Sequence, residues 1–267
     1  MKNSQSSAVN SEYSLKIGWL YPGLMSTYGD RGNIIVLAKR CEWRNINTEV
    51  IKLNEGFVVK KLEELDILFM GGAEDVQQQI VARDFRAEKI KALKSKIEDG
   101  TPGLYICGAL QFLGKFYKDA DGTEIKGLGI FDLYTEHPGE GNKRLIGNIA
   151  VKTNLAGLGH ATYETGKDIV IGFENHGGRT RLGKDLKPFA QVVKGFGNNG
   201  EDKTEGAIYK NSIGTYLHGP ILPKNPEIAD WLIEKALEKK YKKKINLEKL
   251  DDLLSQKAKE SILSKIT

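Results

Sequence analysis

Residues 103–110 read GLYICGAL, an apolar run that stops on a cysteine and passes at once into small residues. A chain that ends a strand on a thiol and then strips away bulk has two readings. The cysteine packs as a small hydrophobe, or it stands on a tight strand-to-helix bend and reacts. Such a bend needs small neighbours so that the sulfur projects from it, and Gly108 and Ala109 supply them on the C-terminal side. A helix starting there offers unpaired N–H groups and the positive end of its dipole. Both favour the thiolate, which is the nucleophilic form. The octapeptide alone leaves both readings open.

Working outward, short apolar runs alternate with helical patterns. LKIGWLY (15–21) reads as a first strand, TEVIKL (48–53) as a second and LDILFMGG (65–72) as a third that ends in a glycine pair. GNIIVLAKRCEWR (32–44) reads as a helix, because Ile34, Leu37, Ala38 and Cys41 recur along one face. The other of the two cysteines, Cys41, is therefore expected in the core. A charged helix is expected over about 80–99, before GLYIC as the fourth strand. Strands separated by helices imply right-handed crossovers and a parallel sheet.

After residue 125 the rhythm changes. LIGNIAVK (145–152), DIVIGFEN (168–175), AQVVKG (190–195), EGAIYK (205–210) and SIGTYLHG (212–219) lie close together with turn residues between them. They are expected to extend the sheet as hairpins. NPEIADWLIEKALEKKY (225–241) reads as a helix with Asn225 as its cap and Pro226 in its first turn. A last amphipathic stretch covers 247–263. The expected division is a disordered start over 1–13, one domain over 14–222 and a helical extension over 223–267 packed on it.

Composition narrows the function classes. The 267 residues are 40% hydrophobic and 28% charged, as in soluble globular proteins. A formal net charge of +5 is too mild to argue for nucleic acid. The basic excess gathers in EKKYKKK (238–244), which reads as a solvated helix end. Two cysteines give no disulfide framework and fit a reducing cytoplasm. The polar start carries no apolar core of a signal peptide. No apolar run approaches the ~20 residues that span a bilayer, so no membrane insertion is expected.

In an open parallel sheet, function gathers at the carboxyl ends of the strands. The loops there read PGLMSTYGDRGN, GGAEDVQQQ and CGALQ. A reactive thiol also needs a base. Of the four histidines, His137 and His160 lie in polar, glycine-rich loop text. His176 sits in ENHGGRT after a strand, and His218 ends the strand of SIGTYLHGP, where it can face another strand's end.

The set YICGALQFLG, MGGAEDVQQQ, GFENHGGRT and GTYLHGPILPKNPEIAD resembles class I glutamine amidotransferases of the cobyric acid synthase type. Within that group it is most similar to the glutaminase subunits of lipid II isoglutaminyl synthase. The resemblance spans about residues 15–235, with the motifs in the expected order. It implies a flavodoxin-like three-layer α/β sandwich, with a mostly parallel central sheet, an antiparallel extension and C-terminal helices. It also implies that Cys107 attacks the glutamine side-chain amide and that His218 is the general base and acid. Gly72, or its neighbour Gly71, and the N–H of Gly108 would form the oxyanion hole. Gln111, four residues beyond the nucleophile, would stand beside the substrate with His176, and Arg144 would clamp the glutamine α-carboxylate through its planar fork.

Two departures stand out. The common elbow is Gly-x-Cys-x-Gly, whereas Tyr105 and Ala109 stand here, and Tyr105 is expected to crowd the turn. Many relatives place a glutamate two residues after the histidine, orienting it as the aspartate of a serine triad does, and Pro220 stands there instead. The missing carboxylate comes either from a distant acid in this chain or, as the favoured expectation, from a partner subunit.

Glutamine hydrolysis releases ammonia, which must reach an acceptor before water protonates it. Nothing matches the phosphate-binding pattern G-x-x-x-x-G-K-[ST], and no zinc-type cysteine set is present. No metal or cofactor is expected in this chain, with ATP and Mg on a separate synthetase subunit. The resemblance implies that this partner is Mur-ligase-like, of the MurT type, in a heterodimer that reaches lipid II through the partner. Its acceptor would be the D-glutamate α-carboxylate. The alternatives are a glutaminase subunit serving another acceptor, such as a corrinoid, and a non-catalytic scaffold subunit that keeps the fold.

Overall fold

The computed structural model describes residues 12–153, 155 and 169–266. The N-terminal stretch 1–11 lies outside the described residues. In chain order the first half contains β1 (Ser14–Leu20), α1 (Arg31–Glu42), β2 (Asn47–Leu53), α2 (Val59–Glu63), β3 (Ile67–Met70), α3 (Asp75–Asp84), α4 (Ala87–Glu98), β4 (Gly103–Ile106) and α5 (Gly108–Leu113). There follow β5 (Phe116–Lys118), β6 (Glu124–Lys126), β7 (Leu133–Glu136), β8 (Leu145–Thr153), β9 (Ile169–His176), β10 (Arg179–Leu182) and β11 (Ala190–Lys194). The chain closes with β12 (Thr204–Glu205), β13 (Ala207–Tyr209), β14 (Ser212–Thr215), α6 (Ile221–Lys224), α7 (Pro226–Tyr241) and α8 (Leu253–Ile266).

Six strands form the central sheet in the order β13-β14-β4-β3-β1-β2. All neighbours run parallel except β13, which pairs antiparallel with β14 at the edge. β3 and β4 are apolar along their whole length and buried on both faces, as a covered parallel sheet requires. The register aligns Leu20 with Met70, Met70 with Tyr105, and Tyr105 with Gly214. The loops after β1, β3, β4 and β14 therefore leave the same edge of the sheet.

The later strands correct the expectation of hairpins extending this sheet. Only β13 does so. β8, β9, β11 and β12 make a separate antiparallel sheet in the order β12-β11-β8-β9, and β5, β6, β7 and β10 make a mixed sheet in the order β10-β7-β5-β6, with β5 and β7 parallel. The expected helix over about 80–99 is two helices. Phe85 breaks it by turning into an aromatic cluster with Tyr21, Phe57 and Phe112. α7 packs against α1 and buries Ile228, Trp231, Leu232 and Leu237, so it belongs to the main core. The last helix begins at Leu253, later than the amphipathic pattern implied.

The basic run at the end of α7 is a paired surface. Lys239 meets Asp99, Lys240 meets Asp66 and Lys243 meets Glu12. Among the described residues no helix is long and apolar enough to cross a membrane.

Candidate active site

Cys107 links β4 to α5 with φ 50° and ψ −103°, a conformation that non-glycine residues rarely adopt. Its N–H donates to the carbonyl of Thr215 at 2.8 Å, which ties the bend to the end of β14. Backbone strain at this point is the mark of a nucleophile elbow. A Cβ at Gly108 would stand 2.9 Å from both the N and the O of Ala73, so only glycine lets α5 start this close to the loop after β3. Tyr105 does not crowd the turn. Its ring folds back over Gly103, where a Cβ would strike it, and meets Phe131 edge-on.

His218 follows β14 and is fully buried. Its backbone is fixed by exchange of hydrogen bonds with Phe173 of β9, with His218 N–H donating at 2.8 Å and Phe173 N–H at 3.2 Å. The Nδ1 atom lies 3.5 Å from Oδ1 of Asp30, itself fully buried, at the start of α1. Burial alone would lower the imidazole pKa. The Cys107 sulfur and the Asp30 carboxylate outweigh burial and hold it up at about 10. Tyr28 covers the ring edge-on at 4.9 Å. A carboxylate at Nδ1 is thus present within this chain, in the GDRGN segment. Of the two sources expected for it, a distant acid of this chain and a partner's carboxylate, the first has a candidate in Asp30.

Asp30 also changes the reading of the glycine pair. Its Oδ2 accepts the Gly72 N–H at 2.6 Å, so that donor is directed at Asp30. A Cβ at Gly72 would stand 3.0 Å from Cε1 of His218, and one at Gly71 would strike the carbonyl oxygen of Met25. Both glycines make room for the histidine–aspartate pair, and neither borders the cavity described below. The N–H groups of Ala73 and Gly108 take no hydrogen bond among the described residues. They lie side by side next to the elbow.

A cavity of about 380 Å3 opens at Cys107 and is bordered by Ala73, Gln111, Arg144 and His176. It brings together Cys107, the expected nucleophile, and the three substrate-side residues expected from the sequence, although these come from α5, the start of β8 and the end of β9. Gln111 is held at both ends. Its Oε1 accepts from Gln78 at 3.1 Å and its Nε2 donates to the Tyr216 hydroxyl at 3.2 Å. Arg144 donates through Nε to Oδ1 of Asn175 at 2.9 Å and through one terminal nitrogen to the Asn175 carbonyl at 3.0 Å. His176 stacks on Tyr216 with centroids 3.7 Å apart, and its Nδ1 faces the Gly178 carbonyl at 2.8 Å. Burial pushes its pKa down to about 3, so it is neutral at physiological pH.

Cys41 is fully buried on α1, and burial pushes its thiol up to about 12. Asp30, Ala73, Gln78 and Asn175 were not singled out by the sequence. GDRGN, GGAEDVQQQ and GFENHGG contain them all, so the motifs pointed to the right segments without naming these positions. Among the described residues no three His, Cys, Asp or Glu side chains are grouped as a metal ion would need.

Comparison with known proteins agrees with this geometry. The CobB/CobQ-like glutamine amidotransferase domain matches residues 16–226. The Staphylococcus aureus GatD subunit of lipid II isoglutaminyl synthase (glutamine-hydrolyzing) is 48% identical over 217 residues, covering 81% of this chain and 82% of that protein. The Streptococcus pneumoniae GatD subunit is 40% identical over 253 residues, covering 94% and 91%. A probable cobyric acid synthase from Methanothermobacter thermautotrophicus is 32% identical over 171 residues but covers only 59% of this chain and 31% of that protein. This chain belongs to the CobB/CobQ-like glutamine amidotransferases, in the branch that holds the GatD subunits.

Proposed function

We propose that this chain is the glutamine-hydrolysing subunit of a lipid II isoglutaminyl synthase, releasing ammonia from L-glutamine through a cysteine thioester. The observation that carries the reading is Cys107 at positive φ on its elbow, at the mouth of a cavity, with His218 and Asp30 behind it. A protonated imidazole stabilises a neighbouring sulfur anion. The thiolate attacks the side-chain amide carbon, and the carbonyl π electrons move onto oxygen. The N–H groups of Gly108 and Ala73 are placed to receive that oxyanion, a role that takes over from the glycine pair. As the intermediate collapses the C–N bond breaks, His218 gives its proton to the departing nitrogen, and ammonia leaves. Neutral His218 then takes a proton from the water that attacks the thioester. Glutamate is released, and the thiolate and imidazolium are restored.

Arg144, held in position by Asn175, is the clamp for the α-carboxylate, and Gln111 and His176 shape the pocket. The subunit names of the relatives support a two-component assembly that amidates lipid II. We assign the ATP- and Mg-dependent half to a Mur-ligase-like partner of the MurT type, acting in the cytoplasm on the D-glutamate α-carboxylate. The test is ammonia release from L-glutamine by the chain with its co-purified partner, for wild type and Cys107→Ala. Wild type is expected to be active and the variant silent. A wild-type complex that releases no ammonia overturns the reading, and a partner that activates a corrinoid would replace the acceptor.

A further inference from the structure

Free glutamine carries two charges at its α-carbon, and Arg144 answers only the carboxylate. Two carboxylates border the same cavity, Glu74 and Asp75. Glu74 is exposed, whereas Asp75 is half-buried as the first residue of α3. Burial pushes the Asp75 carboxyl up, and the Tyr117 hydroxyl, with His137 and Arg144 farther off, pulls it back. Among the described residues no lysine or arginine forms an ion pair with it. A partly buried carboxylate with only a hydroxyl beside it gains from a cation.

A second group points the same way. The Gly178 carbonyl can only accept, so His176 carries its proton on Nδ1 and presents Nε2 as a bare acceptor. That Nε2 is buried without a partner, His176 is only 2% exposed, and it borders the cavity. Tyr117 connects the two. It reaches Asp75, and its ring edge stands 3.5 Å from where a Gly178 Cβ would be. The one cavity therefore holds a carboxylate, a neutral imidazole acceptor and the guanidinium.

We infer that Asp75, with Nε2 of His176 in the same cavity, receives the α-ammonium of glutamine and so restricts the site to the free amino acid. The inference rests on the glutaminase reading above. A competing role is purely structural, since an acidic residue in the first turn of a helix favours the dipole by ~0.3–1 kcal/mol.

The two roles separate when the partner-bound enzyme is given L-glutamine and Nα-acetyl-L-glutamine. Asp75→Asn should raise KM for L-glutamine about 10- to 100-fold, the loss expected for a charged hydrogen bond, with kcat little changed. Its kcat/KM for the acetylated substrate should stay near the wild-type value, so the preference for free glutamine collapses. Asp75→Ser keeps a residue that suits a helix start and should behave alike. An undiminished preference in both variants, or equal losses on both substrates, overturns the inference. Wild type that hydrolyses neither substrate and is not labelled by 6-diazo-5-oxo-L-norleucine overturns the glutaminase reading instead.

Discussion

The pairing of His218 with Asp30 sets what the thiol can do. An imidazole without a partner at Nδ1 can take the wrong tautomer, an error that costs ~10⁴ in serine triads. Asp30→Asn keeps an acceptor for the Gly72 N–H but removes the charge at Nδ1. It should lower kcat for glutamine hydrolysis by ~10²–10⁴ and leave KM near wild type, as for a group acting only in the transition state. Steady-state kinetics of the variant with its partner would check this, and full activity would return the role to a carboxylate of the partner. The two thiols make a second contrast at this scale. Cys107 opens on the cavity, whereas Cys41 is sealed in the core with its pKa pushed up to about 12. An electrophilic glutamine analogue should label Cys107 and spare Cys41, read by peptide mass spectrometry.

The start of α5 and the loop after β3 form one device. Their closeness brings the backbone of Ala73 against Gly108, next to Cys107 in the chain, and it exists because residue 108 has no side chain. Gly108→Ala would put a methyl 2.9 Å from two backbone atoms of Ala73, so one segment must move. Overpacking of this kind costs ~1–3 kcal/mol, and loss of one oxyanion donor costs ~10²–10³ in kcat. The variant should melt lower and hydrolyse glutamine far more slowly, while Ala109→Gly, which restores the commoner elbow spelling, should keep activity. Thermal denaturation and the ammonia assay check both.

The whole molecule depends on a carboxyl far from bulk water. Glu205 of β12 is fully buried, accepting the Tyr216 N–H at 2.7 Å and lying 3.0 Å from the Thr215 hydroxyl. It therefore braces the segment that runs from β14 to His218. Burial pushes its pKa up from 4.5 to about 8, against the pull of those two donors. Between those values the folded chain holds a proton that the unfolded chain has lost, so stability falls as pH rises from 4.5 through about 8. Glu205→Gln copies the protonated acid. Its melting temperature should match wild type near pH 4.5 and exceed it by several degrees at pH 8. A constant difference across that range would mean that Glu205 is not the group that titrates.

The octapeptide GLYICGAL by itself marked the strand and the bend, because an elbow is local: its small residues and its apolar run are neighbours in the chain. The same holds for the parallel core, since β1, β3 and β4 declare themselves as short apolar runs parted by helical periodicity. Whether the cysteine of the octapeptide packs or reacts was left to the motifs around it. Tertiary structure alone decided that Asp30 stands at His218, that this aspartate engages the Gly72 N–H, and that Asn175 holds Arg144. It also decided that most strands after residue 125 form two further sheets, while β13 and β14 join the central one. A strand's period fixes which side chains share a face, but not which edge it joins. A hydrogen bond between distant residues exists only once the sheet register has brought four loops to one edge.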